Sequence, residues 1–157
     1  MRILAWLAVA IAFSATWAPL AHLLELPNKF RLEGALWLAI QQHLYNVWGP
    51  AIGAPTEIAG LVLSIVLAVK TRGTLTLCRN YLFAAVSYIG MILSFFLLND
   101  PVNRALNGWT PATLPPDWTQ YRVRWEMGYA FAALFSLCAL VAVLLSLAKI
   151  EQRSTHE

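Results

Sequence analysis

Four long apolar runs, separated by polar segments of unequal length, dominate the chain. They cover residues 3–24, 51–69, 81–98 and 127–148. The first, third and fourth carry no Asp, Glu, Lys or Arg, and the second is broken only by Glu57. A helix rises about 1.5 Å per residue, so about 20 apolar residues cross a hydrocarbon core of about 30 Å. The pattern predicts a single all-α domain over 1–157, a four-helix transmembrane bundle. The second run has a rival reading as a short buried helix beginning after Pro55, because Pro50, Pro55 and Glu57 crowd its first turns. Arg2 ahead of an apolar run imitates a signal peptide. The run is longer than a normal signal core, and small residues fit a cleavage site only marginally around Ala18, so a retained helix is expected.

The segments between the runs are not simple connectors. Pro19, His22, Glu25 and Pro27 crowd the end of the first span, where proline is expected to kink or end the helix. In GALWLAIQQHLYNVW, residues Leu36, Ile40, Leu44 and Val47 recur at helical spacing. This predicts an amphipathic helix at the membrane interface or folded onto the bundle, with Trp37 and Trp48 in an interfacial aromatic belt. Segment 99–126 is dense in Trp, Arg, Asn, Asp and Pro. Asp100-Pro101 reads as an N-cap followed by proline at the first helical position, opening a short helix through about Asn107. TPATLPPD reads as extended chain. Asp117 with Gln120 three residues on is a capping-box pattern. The helix that follows is longer than the hydrocarbon core, so its first two turns stand outside, with Arg122, Trp125, Glu126 and Tyr129 on one face. Segments 25–48 and 99–126 fall on the same side of the bundle and are expected to meet as a polar, Trp/Arg-rich cap.

Composition strengthens the membrane reading. The chain is 59% hydrophobic and 12% charged, whereas a soluble domain carries about 25% charged residues. The net charge of +3 reads as topology. Lys70, Arg72 and Arg79 lie between the second and third spans with no acid among them, and Lys149 and Arg153 follow the fourth. The positive-inside rule then places both termini in the cytoplasm and the cap on the other face, in what is expected to be a bacterial inner membrane. Lys29, Arg31, Arg104, Arg122 and Arg124 on the cap side are interleaved with acids. No Lys/Arg-rich run points to nucleic acid. The expected partners are the bilayer, a hydrophobic aromatic small molecule, and a second copy or another membrane protein. Cys78 and Cys138 lie at different depths and outside any CxxC pair, which argues against thiol redox chemistry.

Candidate chemistry gathers at the cap. His22 and Glu25, three residues apart on one helix face, suit a general base with its orienting partner, half of a metal site, or a hydrogen-bonded polar pair at a helix end. His43 offers a second base or ligand. The metal spacing is weak, so no cofactor is expected, although a metal or haem reading stays open. Glu57 is either a functional group at membrane depth or a first-turn acid of its helix. Lys29, Arg104, Arg122 and Arg124 suit stabilisation of an enolate-like anion, or salt bridges to neighbouring acids. Trp109, Trp118, Trp125, Tyr121 and Tyr129 suit the walls of a pocket for a flat ring, or an interfacial belt. Serine-nucleophile, phosphate-loop and dinucleotide motifs are absent, against common hydrolases, ATP-driven chemistry and nicotinamide binding.

Two blocks carry a family resemblance: HLLELPNKFRLEGALWLAIQQHLYNVWG, and NDPVNRALNGW with PDWTQYRVRWE. The chain resembles the anthrone oxygenase-like family of small integral membrane proteins. With the four spans, the resemblance covers most of the chain. It implies a membrane oxygenase that oxidises a planar phenolic, anthrone- or quinol-like substrate with molecular oxygen and without a bound cofactor. On that reading His22, oriented by Glu25, or else His43, is the base, and Arg122 and Arg124 stabilise the enolate. Trp109, Trp118, Trp125, Tyr129 and Lys29 surround the ring, and Asn99 and Asn103 bind its oxygens. The family often has a His after the Arg-Trp element, where this chain has Tyr129. The competing expectation is a non-catalytic small-molecule binder or an accessory subunit of a membrane complex.

Overall fold

A computed structural model describes residues 1–45 and 47–154. Its elements are α1 (Arg2–Lys29), α2 (Gly34–His43), α3 (Ala54–Lys70), α4 (Leu75–Ser94), α5 (Asp100–Leu106) and α6 (Trp118–Ser154). Among the described residues all regular structure is helical. Four helical stretches, starting at Arg2, Gly49, Leu75 and Trp118, are long and apolar enough to cross a membrane. The chain is an integral membrane protein built as an all-α bundle.

Helix α6 forms the spine, packed against α1 on one side and α4 on the other, and α3 closes against α4 and α1. The seam is made by small residues. Ala5, Ala8, Ala12 and Ala15 repeat every three or four positions along α1 and are buried, as are Ala84, Ala139 and Ala142. In lipid, apolar side chains gain little by leaving one apolar surrounding for another. Close backbone approach and dense packing supply the attraction instead. Larger residues such as Phe13, Ile58, Phe83 and Val141 remain on the outer faces.

The helices run further than the apolar runs predict. Helix α1 passes Pro19 and Pro27 and ends at Lys29, because a proline in a membrane helix removes one hydrogen bond without having to end the helix. Helix α4 starts at Leu75, so Arg79 lies inside it. It continues through a π-helical turn, Phe95–Asn99, into α5. A matching π-helical turn, Gly49–Gly53, leads into α3. Both turns have one local cause. Pro55 and Pro101 have no N–H to donate, and the N–H of the preceding residue reaches five residues back, Ala54 to Gly49 and Asp100 to Phe95. The Leu97 carbonyl, which residue 101 would otherwise bond, accepts instead from Arg124 Nη2 at 2.8 Å.

The cap has its own apolar core, made of Trp37, Leu38, Val102, Leu106 and Trp125. This corrects one expectation for α2. Trp37 is 0% exposed and belongs to that core rather than to an interfacial belt. The apolar stripe faces outward, away from that core, with Leu36 54% and Val47 65% exposed. The reason is shape. Gly34 brings α2 against Leu114 and Trp118, and Trp37 is the side chain that fills the space above them. At the opposite end, Arg2 pairs with Glu151, and Arg153 donates to Thr74 Oγ1 at 3.1 Å. Both terminal segments and the α3–α4 loop therefore share one end.

Close approach makes Gly60 a sensitive position, because a Cβ there would run into the Tyr88 ring. Gly60→Ala is expected to cost about 1–3 kcal/mol by overpacking and to lower the Tm in detergent. Gly73→Ala, with nothing within 4 Å of the new Cβ, should leave the Tm unchanged.

Candidate functional site

The extension of α1 to Lys29 builds the site. Residues 22, 25 and 29 fall on one helix face by i, i+3, i+7 spacing. Lys29 Nζ lies 2.6 Å from His22 Nδ1 and 3.1 Å from Glu25 Oε2. From α6, Glu126 Oε2 approaches the same ammonium at 3.7 Å. The Lys29 side chain is 5% exposed, so its charge is held inside the protein, where a cation needs paired acceptors. Two rings add to its surroundings: Nζ sits 4.8 Å from the Tyr45 centroid and 5.1 Å from that of Trp125.

Each partner is held by further contacts. Tyr45 donates its hydroxyl to Glu25 Oε2 at 2.7 Å. Burial, and next the Glu25 carboxylate that accepts this bond, push the Tyr45 hydroxyl well above its ordinary range, so it stays a donor. The His22 ring packs against Tyr129, Tyr45 and Trp125, with centroids 4.0, 4.6 and 5.0 Å away. Trp125 is fixed at both ends: Asn103 Oδ1 accepts from its indole N–H at 2.9 Å, and its carbonyl accepts from Asn99 Nδ2 at 2.8 Å. Arg122 closes the end of α1 by donating to the carbonyls of Lys29 and Leu32 at 3.1 and 3.0 Å, satisfying acceptors that a helix C-terminus leaves open. Its guanidinium lies over Trp118 and Phe30. Gln42 ties α2 to the other cap segment through the carbonyls of Leu106 and Trp109.

The 2.6 Å contact fixes the His22 tautomer. An ammonium can only donate, so Nδ1 accepts, and the hydrogen of the neutral ring resides on Nε2. Lys29, rather than Glu25, orients the imidazole; Glu25 is 3.8 Å from Nδ1.

His22 forms part of the wall of a cavity of about 360 Å³ that lies between α1, α3, α4 and α6 and is bordered by both π-helical turns. Its wall is largely apolar, with Pro19, Met91, Phe95 and Phe96 prominent, and its polar groups include His22, Glu57, Asn99 and Tyr129. Phe96 and Ile58 at its edge are exposed on the outer surface of the bundle, so the cavity opens sideways toward lipid. Among the described residues Glu57 has no hydrogen-bond or ion-pair partner. A second cavity of about 190 Å³ lies in the cap, lined by Gln41, Tyr45, Asn103 and Trp125, and shares Gly49, Pro50, Phe95 and Tyr129 with the first.

Of the residues singled out from sequence, the structure brings together His22, Glu25, Lys29, Trp125 and Tyr129, with Asn99 and Asn103 supporting Trp125. It keeps others apart. His43 is exposed at the end of α2, and Arg124 is exposed on the Leu97 carbonyl. Arg122 faces the end of α1. Trp109 packs edge-on against Tyr121 and Trp118 against Trp37, both within the cap core. Sequence reasoning missed Tyr45 and the contact of Lys29 with His22, whereas the ion pairs of Lys29 with Glu25 and Glu126 are among the salt bridges it offered. It favoured an end-of-helix role for Glu57 over a functional one. Among the described residues no three His, Cys, Asp or Glu side chains come together as a metal site. Comparison of the chain with known protein families, characterised proteins and solved structures finds no match.

Glu126 is 2% exposed, and neither of its carboxylate oxygens has a hydrogen bond among the described residues. Lys29→Met should therefore destabilise the protein by about 3 kcal/mol by stranding a buried charge. Adding Glu126→Gln should restore most of that loss, measured by thermal unfolding. Equal destabilisation in the single and double variants would show that the two charges are not coupled.

Proposed function

We propose that this protein is a membrane enzyme that oxidises a planar phenolic molecule, anthrone- or quinol-like, drawn from the bilayer into the 360 Å³ cavity. The observation that carries this reading is the pairing, in one lipid-facing cavity, of a hydrogen-bearing imidazole backed by a buried ammonium with an unpartnered carboxylate, Glu57. An apolar space with a few convergent polar groups suits a flat, hydrophobic ligand that has oxygen at one edge.

The roles follow from protonation. With its Nδ1 occupied by Lys29, His22 is a donor toward the cavity. Glu57, in its ionised form, is the base that takes the acidic C–H or phenolic proton. The oxygen that becomes anionic is met by His22 Nε2–H, by the Tyr129 hydroxyl and by the positive potential of Lys29 behind the imidazole. The resulting carbanion adds molecular oxygen to give a hydroperoxide, which loses water to leave a carbonyl. In sum, one CH₂ and one O₂ become one C=O and one H₂O. The substrate supplies all four electrons, so no separate reductant is consumed. One substrate hydrogen passes through Glu57 to the hydroperoxide and the other leaves carbon as the O–O bond breaks, so both end in the water formed, and His22 keeps its Nε2 hydrogen throughout. Tyr129, at the place where the anthrone oxygenase-like family often has His, packs against the His22 ring, so an imidazole still serves that part of the site.

The basic α3–α4 loop and the shared end of both terminal segments support an orientation with both termini in the cytoplasm of a bacterial cell and the cap outside. Alkaline phosphatase fused after residue 112, in the cap, should be active, and fused at the C-terminus inactive. The reverse pattern would invert the topology.

The functional test is oxygen uptake by the purified protein with 1,8-dihydroxyanthrone, set against spontaneous oxidation. Turnover above background is expected, reduced at least 100-fold in Glu57→Gln and His22→Gln, in keeping with the 10²–10⁴-fold span of general acid–base catalysis. Tight binding without excess oxygen uptake would instead support the binding-protein reading. A full rate in Glu57→Gln would remove that carboxylate from the reaction.

A further inference from the structure

The smaller cavity of about 190 Å³ has a different chemistry from the larger one. It is lined by side-chain amides from α2 and the α5 region: Gln41, Gln42, Asn103 and Asn107. Two of these amides are already engaged, Gln42 with the carbonyls of Leu106 and Trp109, and Asn103 with the Trp125 indole. Gln41 is not. It is 7% exposed, and its Nε2 has no hydrogen-bond partner among the described residues. A buried amide donor left without an acceptor costs about 1–3 kcal/mol, a cost that a ligand oxygen placed there would relieve. Tyr129 and Phe95 border both cavities, so the two spaces are neighbours across a thin aromatic wall.

We infer that the cap cavity is a second subsite that binds a neutral, hydrogen-bond-accepting oxygen, carbonyl or hydroxyl, borne on a substituent of the ring system held in the larger cavity. The substrate class is then narrower than a hydrocarbon-tailed quinol: a polycycle that carries oxygen both at its reacting edge and on a side group. Among the described residues no charged side chain lines the subsite, which disfavours a carboxylate or phosphate at that end. This inference rests on the proposed ring-binding role of the larger cavity.

The test compares two probes in detergent by quenching of tryptophan fluorescence: 1,8-dihydroxyanthraquinone and its 3-acetyl derivative, which adds one carbonyl acceptor. The acetyl compound is expected to bind wild type about three- to tenfold more tightly, the value of one neutral hydrogen bond. That advantage should vanish in Gln41→Leu while the affinity of the parent compound is unchanged, which also reports that the variant is folded. Asn107→Ala, at an exposed position of the same lining, should reduce the advantage and serves if Gln41→Leu does not fold. Equal binding of the two probes to wild type would overturn the subsite, leaving water as the partner of Gln41, without touching the ring cavity. An advantage that survives in both variants would overturn it as well. Failure of both probes to bind wild type would overturn the ring-cavity reading and this inference with it.

Discussion

One buried cation organises the cap end of this protein. Lys29 lies at the end of α1 with His22, Glu25 and Glu126 around its ammonium and the rings of Tyr45 and Trp125 beside it. These groups come from both polar segments and from two membrane helices. A charge held inside a protein is costly unless its partners stay in place. The same contacts that neutralise Lys29 therefore fix the approach of α1 to α6, the position of the chain after α2, and the tautomer of His22. Arg122 reinforces the arrangement from outside by holding the last carbonyls of α1.

The cavity follows from that arrangement together with two prolines. Pro55 and Pro101 each impose a π-helical turn on the preceding chain, and both turns border the same 360 Å³ space. Such turns recur at functional sites because they displace side chains that a regular helix would align. Lipid reaches the cavity from the side, and the Lys29 cluster sits at its polar end. The bundle thus joins a largely apolar cavity wall to a hydrogen-bonding cluster through His22.

The four spans were legible in the sequence because lipid demands long uncharged runs, and so was the convergence of the two polar segments at one end. Details that depend on three-dimensional packing were not. The pairing of His22 with Lys29 crosses Pro27, and a proline reads locally as a helix end even where the helix continues. The Leu36–Val47 stripe has a spacing that fits either an interfacial or a buried face, and only the fit of Trp37 against Leu114 and Trp118 decides which side of α2 is covered. Arg124 looked like an anion-binding group, and its role on the Leu97 carbonyl is visible only once Pro101 is seen to leave that carbonyl free. Glu57 reads first as a first-turn acid, because the cavity it lines is assembled from four helices far apart in the chain.

The protonation pattern of His22 is the most direct test of this account. The chain has three histidines, so ¹⁵N-histidine labelling with His22→Gln for assignment isolates its ring signals. At neutral pH a neutral imidazole is expected, with the hydrogen on Nε2 and Nδ1 accepting, and Lys29→Met is expected to abolish that preference. A ring protonated on Nδ1, or an imidazolium, would mean that Lys29 does not orient His22. The proposed division of labour between His22 and Glu57 would then fail.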